Sequence, residues 1–259
     1  MKKSVLLLLI AAGLSGCTLD MSSGQNSPIP AFALQSISSA PGKSYRDIDE
    51  SQLLTGDLLF SSSVGATSFG IRLFSTSSVS HVALYIGEGR VAEAVGSGVQ
   101  IVPLADTIKH SDKLFVLRRA DLTVEQTAKI AEFATAKLGR GYNYAGIVKM
   151  MPFMVTKQLC SLNPFSRDFR RQCLNGLAAS QLGNDLPDPE RYFCSQFVIA
   201  AFQYSGQPLT TADAGWVSPA DLLHMREGDV PTLVPVKPLH YVGHLRPGIY
   251  FKARHSMLR

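Results

Sequence analysis

Residues 80–94 read SHVALYIGEGRVAEA. Two short apolar runs, Ser80 to Ile86 and Val91 to Val95, flank Gly87-Glu88-Gly89-Arg90, and the pattern predicts a β-hairpin. Each strand holds one residue foreign to an apolar surface. His81 opens the first, and Glu93 sits among valines and alanines in the second. Side chains alternate along strands, so the two share a face only if paired residue numbers sum to an even value. Pairing Tyr85 with Val91 does this through a five-residue loop, Ile86 to Arg90. Ala83 then faces Glu93, and His81 is its diagonal neighbour, ~7–8 Å away at Cα and closer at the side-chain tips. A four-residue loop would separate them. The two glycines permit the longer turn without requiring it. A charge buried without a partner is costly, so Glu93 either faces solvent or has a partner. His81, on a rigid strand, is either a satisfied core histidine or a general base that the strand can aim.

A second stretch, RYFCSQFVIAAF (191–202), raises the complementary question. Phe193 to Tyr204 reads as a helix ended at Gly206. Cys194, Phe197, Val198 and Ala201 fall at i, i+3, i+4 and i+7 and share one face. Cys194 therefore sits in the first turn, where open backbone N–H groups and the helix dipole favour an anion, here a thiolate. A small buried hydrophobe, half of a disulfide and a nucleophile are all consistent with that position.

Further strands are expected at Gly56 to Phe60, in VQIVPL and KLFVLRRA, near Leu233-Val234, and at Gly248 to Lys252. Thr123 to Leu138 is a helix with a capping box from Thr123 and Gln126 and a stripe of Ile130, Phe133, Ala134 and Leu138. SSSVGATSFG is a polar, glycine-rich loop. Asp57, in a Gly-Asp turn, reads as structural. The mixed order, with strands in runs, predicts an α+β fold with an antiparallel sheet packed on helices.

The chain of 259 residues is 46% hydrophobic and 17% charged, with a net charge of +5. That describes a globular protein with one sizeable core, and no basic tract argues for nucleic acid. The N-terminus, MKKSVLLLLIAAGLSGC, has a basic start and an apolar run of about ten residues. The run is too short to span a membrane but fits a secretory signal. Leu14-Ser15-Gly16-Cys17 looks like a lipoprotein lipobox, which implies removal of residues 1–16 and lipidation of Cys17. Thr18, rather than aspartate, after it points to the outer membrane, facing the periplasm. Residues 17–48, rich in Ser, Pro, Gly and Ala, read as a lipidated tether, and 49–259 as the catalytic domain. Cys160, Cys173 and Cys194 then remain in an oxidising compartment. Cys160 and Cys173 are close in sequence and are expected to pair, stabilising by roughly 3 kcal/mol, which leaves Cys194 as the free thiol.

GDLLF (56–60), SHVALYIGEGRVAEA (80–94), LGRGYNYAG (138–146), YFCSQFVIAAF (192–202) and SPADLLHM (218–225) together resemble the circularly permuted branch of the NlpC/P60 superfamily. Within it they resemble the YaeF/YiiX-like group of lipoprotein cysteine peptidases. The resemblance covers most of residues 53–226. It implies a papain-like fold in which the histidine strand precedes the cysteine helix, with Cys194 as nucleophile, His81 as base and Glu93 orienting the imidazole. The Cys194 N–H is then an oxyanion donor, with Tyr192 as a further candidate; Tyr142 and Tyr144 line the cleft or pack in the core. No cofactor is implied, and no CxxC or HxxxH spacing supports zinc. The expected activity is a cysteine amidase or peptidase acting on cell-wall peptides. Two alternatives stand beside it. One is hydrolysis or transfer of lipid acyl groups, favoured if Phe69, Phe74, Met150, Met151, Phe153 and Met154 wall the cleft. The other is a non-catalytic lipoprotein scaffold.

Overall fold

The computed structural model describes residues 18–22, 31–36, 39, 45–62, 79–161, 167–182 and 190–248. The leader, Cys17, Phe69, Phe74 and all but the first residue of the expected 248–252 strand lie outside them.

An antiparallel sheet of six strands forms the centre. It comprises β3 (Leu58–Ser62), β4 (His81–Tyr85), β5 (Arg90–Val95), β6 (Gly98–Pro103), β7 (Lys113–Arg119) and β10 (Leu239–Arg246), in the order β10-β7-β3-β4-β5-β6. Strict alternation gives the sheet two apolar faces. Leu58, Phe60, Val82, Leu84, Ala92, Phe115 and Leu117 join the main core. Leu59, Ala83, Tyr85, Val91, Leu114 and Val116 join a second core, which includes Leu104 from helix α1 (Leu104–His110). Helix α2 (Val124–Ala136) starts at the expected Thr123–Gln126 capping box and buries Ile130, Phe133 and Ala134. Helix α5 (Cys194–Tyr204) packs on β4 and β5 and is nearly all buried. The hairpin has the register that unites His81 and Glu93: Tyr85 pairs with Val91 and Leu84 with Ala92. Its loop needs positive φ at Gly87, Glu88 and Gly89, which glycine adopts without strain at two of the three.

Asp57 is structural, as read. Its carboxylate takes two hydrogen bonds from Arg118, at 2.6 and 2.7 Å, and one from the Leu54 N–H.

Four features depart from the sequence reading. Two helices stand where none was expected, α3 (Tyr144–Ser161) and α4 (Arg167–Leu182). Pro152 inside α3 and its mixed apolar pattern hid the first. The Cys160–Cys173 disulfide staples the pair. No strand forms at Leu233-Val234; the last strand among the described residues is β10, whose Gly243 and polar residues masked its alternation.

The fourth departure is the segment read as a tether, which is ordered over its described residues. Strands β1 (Leu19–Ser22) and β2 (Ala31–Leu34) pair. The segment is held by polar partners: Asp20 by Arg170, the Ser36 N–H by Asp229, the Ser39 carbonyl by Arg226, and Thr18 by Thr232. Hydrophobic periodicity does not register such contacts.

Lys157 of α3 donates to both oxygens of Asp221, at 2.8 and 2.6 Å, and both side chains are buried. Asp221 lies in helix α6 (Pro219–Leu223), within SPADLL, and also accepts from Ser218. This pair ties the helical insert to the core. Lys157→Met strands the Asp221 carboxylate without its cation, which costs on the order of 3–5 kcal/mol. Chemical denaturation measures it, and a loss under ~1 kcal/mol contradicts the pair's role.

Candidate active site

The site is assembled by backbone before any side chain takes part. Edge strand β6 receives the 139–141 segment: the Val99 N–H donates to the Arg140 carbonyl and the Gly139 N–H to the Val99 carbonyl. Gly98 is required there, because a Cβ would sit 2.5 Å from the Arg140 carbonyl oxygen. That segment leads into β8 (Gly141–Tyr142), which pairs in parallel with β9 (Arg191–Tyr192). The Asn143 N–H donates to the Tyr192 carbonyl, and the Asn143 amide reaches Gln196. So LGRGYNYAG is sewn to the strand that enters α5, and Cys194 follows within two residues of the seam.

Opposite Cys194 stands His81. Its Nε2 lies 2.7 Å from Glu93 Oε2, and Glu93 Oε1 accepts from the Gln100 amide at 2.8 Å. Gln100 is the direct cross-strand partner of Glu93 on β6. With Nε2 taken by Glu93, the ring's other nitrogen is left for Cys194, the second hydrogen-bond partner of His81. Burial opposes charge on the imidazole, but the hydrogen bonds and negative charges of Cys194 and Glu93 outweigh it and raise its pKa to about 10. Burial likewise pushes Glu93 up, yet the His81 contact and the Gln100 bond hold it below the usual glutamate value.

These groups line a cleft of about 510 Å³, with Ser61, Ser80, Thr107, Tyr142 and Tyr144 also on its walls. Tyr142 is buried, and burial and then the charge at Cys194 raise its pKa, so its hydroxyl stays a donor. Tyr144 donates to the Gly96 carbonyl across the cleft at 3.0 Å. Tyr192 does not take the donor position expected of it. Its ring meets Phe133 and Phe197 edge-on and it is not among the lining residues of the cleft, whereas its ladder partner Tyr142 is. The expected apolar wall is also absent from the described lining: Met150, Phe153 and Met154 are core residues. Other described histidines serve elsewhere. His224 pairs with Asp229, His240 with Glu227, and His244 is packed between Tyr45 and Phe115. His110 also lines the cleft, with its Nδ1 2.8 Å from the Asp106 carbonyl oxygen. No described cluster of three His, Cys, Asp or Glu side chains is arranged to hold a metal.

Residues 52–161 match the model of the family described as permuted papain-like amidase enzyme, YaeF/YiiX, C92 family. The chain is 55% identical over 249 residues to the probable lipoprotein peptidase YaeF of Escherichia coli K12, covering 93% of this chain and 91% of that one. The chain belongs to this family of permuted papain-like cysteine peptidases and amidases. It is also 35% identical over 97 residues to the uncharacterized protein YiiX of the same strain, covering 35% of this chain and 48% of that one. A crystal structure of YiiX from E. coli O157:H7, described as a metalloprotein, aligns with a TM-score of 0.44 at 21% identity over 76% of this chain and 99% of that one; the likeness is too loose to bear on this site.

The raised His81 value has a consequence for stability. Below its ordinary value of 6.5 the imidazole is protonated folded or unfolded, and the contribution is whole. As pH climbs from 6.5 toward 10 only the folded state keeps the proton, so the contribution drains away. Glu93 behaves oppositely: its share is present above the ordinary glutamate value and lost as pH falls through the lower folded one. Denaturation midpoints of the wild type should fall between pH 6.5 and 10 more steeply than those of His81→Gln. Parallel curves would contradict the ion pair.

Proposed function

We propose that the protein is a lipid-anchored cysteine amidase that cleaves peptide amides of the cell wall through a thioacyl intermediate, with Cys194 as nucleophile, His81 as base and acid, and Glu93 orienting the imidazole. The observation that carries this reading is the line Cys194–His81–Glu93 at the wall of one cleft. Residues 1–16 serve as the cleaved leader, lipid on Cys17 holds the protein at the periplasmic side of the outer membrane, and residues 49–259 form the catalytic domain.

His81 takes the thiol proton, and the imidazolium is stabilised by Glu93. Sγ attacks the carbonyl carbon, forming the C–S bond and an oxyanion. Phe193, the residue before the helix, has no side-chain acceptor for the first-turn N–H groups of α5. Those groups, the Cys194 N–H first, and the Tyr142 hydroxyl are the donors available to the oxyanion. As the C–N bond breaks, His81 protonates the departing amine. Water, deprotonated by His81, then cleaves the thioester and restores Sγ. His81 and Glu93 are largely shielded from bulk solvent, with 21% and 13% of their side chains exposed; in bulk solvent their interaction would be weaker.

Peptide is favoured over lipid acyl groups by the lining. Ser61, Ser80, Gln100 and Thr107 are among the residues that line the cleft. An extended peptide carries donors and acceptors along its length; an acyl chain carries none.

Stem peptides and cross-linked dimers of the wall, with acyl lipids as the competing set, test the reading. Turnover should fall at least ~10³-fold in Cys194→Ala and by ~10²–10⁴ in His81→Ala. Mass spectrometry of the wild type should catch an acyl group on Cys194. Full turnover by Cys194→Ala overturns the mechanism, and turnover of lipids alone overturns the substrate.

A further inference from the structure

Helix α3 carries a feature the chemistry does not use. Tyr144, Val148, Pro152, Val155 and Leu159 recur at i, i+4, i+8, i+11 and i+15, which at 100° per residue confines them to a stripe about 80° wide and about 22 Å long. All five are exposed, with Tyr144 at 56%, Val148 at 65%, Val155 at 51% and Leu159 at 70%. On the opposite side Met150, Phe153, Met154, Lys157 and Cys160 are buried. Residues 144–161 include Lys149 beside the stripe and no Asp or Glu. Phe169 of α4, 51% exposed, adds an apolar ring near the stapled end of the hairpin. A row this long on one helix marks an interaction face rather than scattered surface residues.

We infer that this face rests on an anionic bilayer surface, with α3 lying in the interface and the mouth of the cleft held against the membrane. Two observations choose the occupant. Thr18 is pinned to Thr232, and Asp20 to Arg170 of α4. Cys17 is one residue, about 3.8 Å, from Thr18, so a lipid on it leaves the domain beside the α3–α4 hairpin. This argument rests on the anchoring proposed above. The stripe is apolar and its helix carries no carboxylate, which suits burial at the headgroup boundary. No described helix is long and apolar enough to cross a membrane. Tyr144 begins the stripe and also lines the catalytic cleft, so docking and substrate entry share one residue. The polar cleft then receives substrate presented at the membrane surface, while the outer face of α3 supplies the attachment.

The test uses the processed full chain reconstituted in phosphatidylglycerol–phosphatidylethanolamine vesicles. Val155→Cys and Leu159→Cys are labelled with a membrane-impermeant maleimide, with Glu125→Cys on α2 as the reference. Both stripe positions should label at least fivefold more slowly than the reference, at every lipid-to-protein ratio, and the protection should weaken in purely zwitterionic vesicles. Equal labelling overturns the inference. Protection that vanishes on dilution in the bilayer also overturns it, because the occupant is then a second copy. Intact mass reads the anchor separately. An unmodified Cys17 with a protected stripe removes only the anchor, and an acylated Cys17 with an exposed stripe removes only the docking face.

Discussion

The register of one hairpin governs the site. The β4–β5 turn bonds the Ile86 N–H to the Arg90 carbonyl, and the pairing of Tyr85 with Val91 beside it puts His81 and Glu93 on the same face. A loop one residue shorter would send Glu93 to the other face and leave His81 without its carboxylate. The constraint extends outward. Because Glu93 pairs with Gln100 on β6, the carboxylate is held at both oxygens. Because β6 also grips residues 139–141, the same edge carries β8, and β8 carries β9 and the first turn of α5. Cys194 and His81 lie 113 positions apart in the chain, yet they are joined through a short run of backbone hydrogen bonds.

Around this rigid part the molecule separates two tasks. The cleft is lined largely by polar residues, with an imidazole held charged by its neighbours and Tyr142 kept neutral by burial. The helical insert is apolar on its outer face and tied to the core by its disulfide and by the buried Lys157–Asp221 pair. The N-terminal strands clasp the same side through polar side chains. The cleft and the apolar outer face of α3 thus adjoin at Tyr144.

The sequence was most informative where a physical rule had few outcomes. Parity left two choices for His81 and Glu93, and the observed pairing of Tyr85 with Val91 decides between them. Thr123 and Gln126 announced a helix start, and the structure begins α2 there. Cys194 was placed in a first turn by the spacing of Phe197, Val198 and Ala201. What stayed hidden depends on contacts distant in sequence. The strap of residues 18–39 is held by Arg170, Arg226, Asp229 and Thr232, none of which its Ser- and Pro-rich composition reveals. Helix α3 is apolar on both sides, so periodicity could not tell its core face from its outer one, and Pro152 argued against a helix at all. Tyr142 and Tyr192 are symmetry-like neighbours on a two-residue ladder, and only the fold shows which ring turns to the thiol.

The central claim is that His81 keeps Cys194 reactive as an ion pair. The rate at which a small haloacetamide alkylates Cys194, followed from pH 5 to pH 9 in the wild type and in His81→Ala, tests it most directly. The account predicts a rate that changes little over the acidic half of that range in the wild type and falls at least tenfold there in the variant. A thiol that is inert throughout, or one whose profile is the same with and without His81, would contradict it.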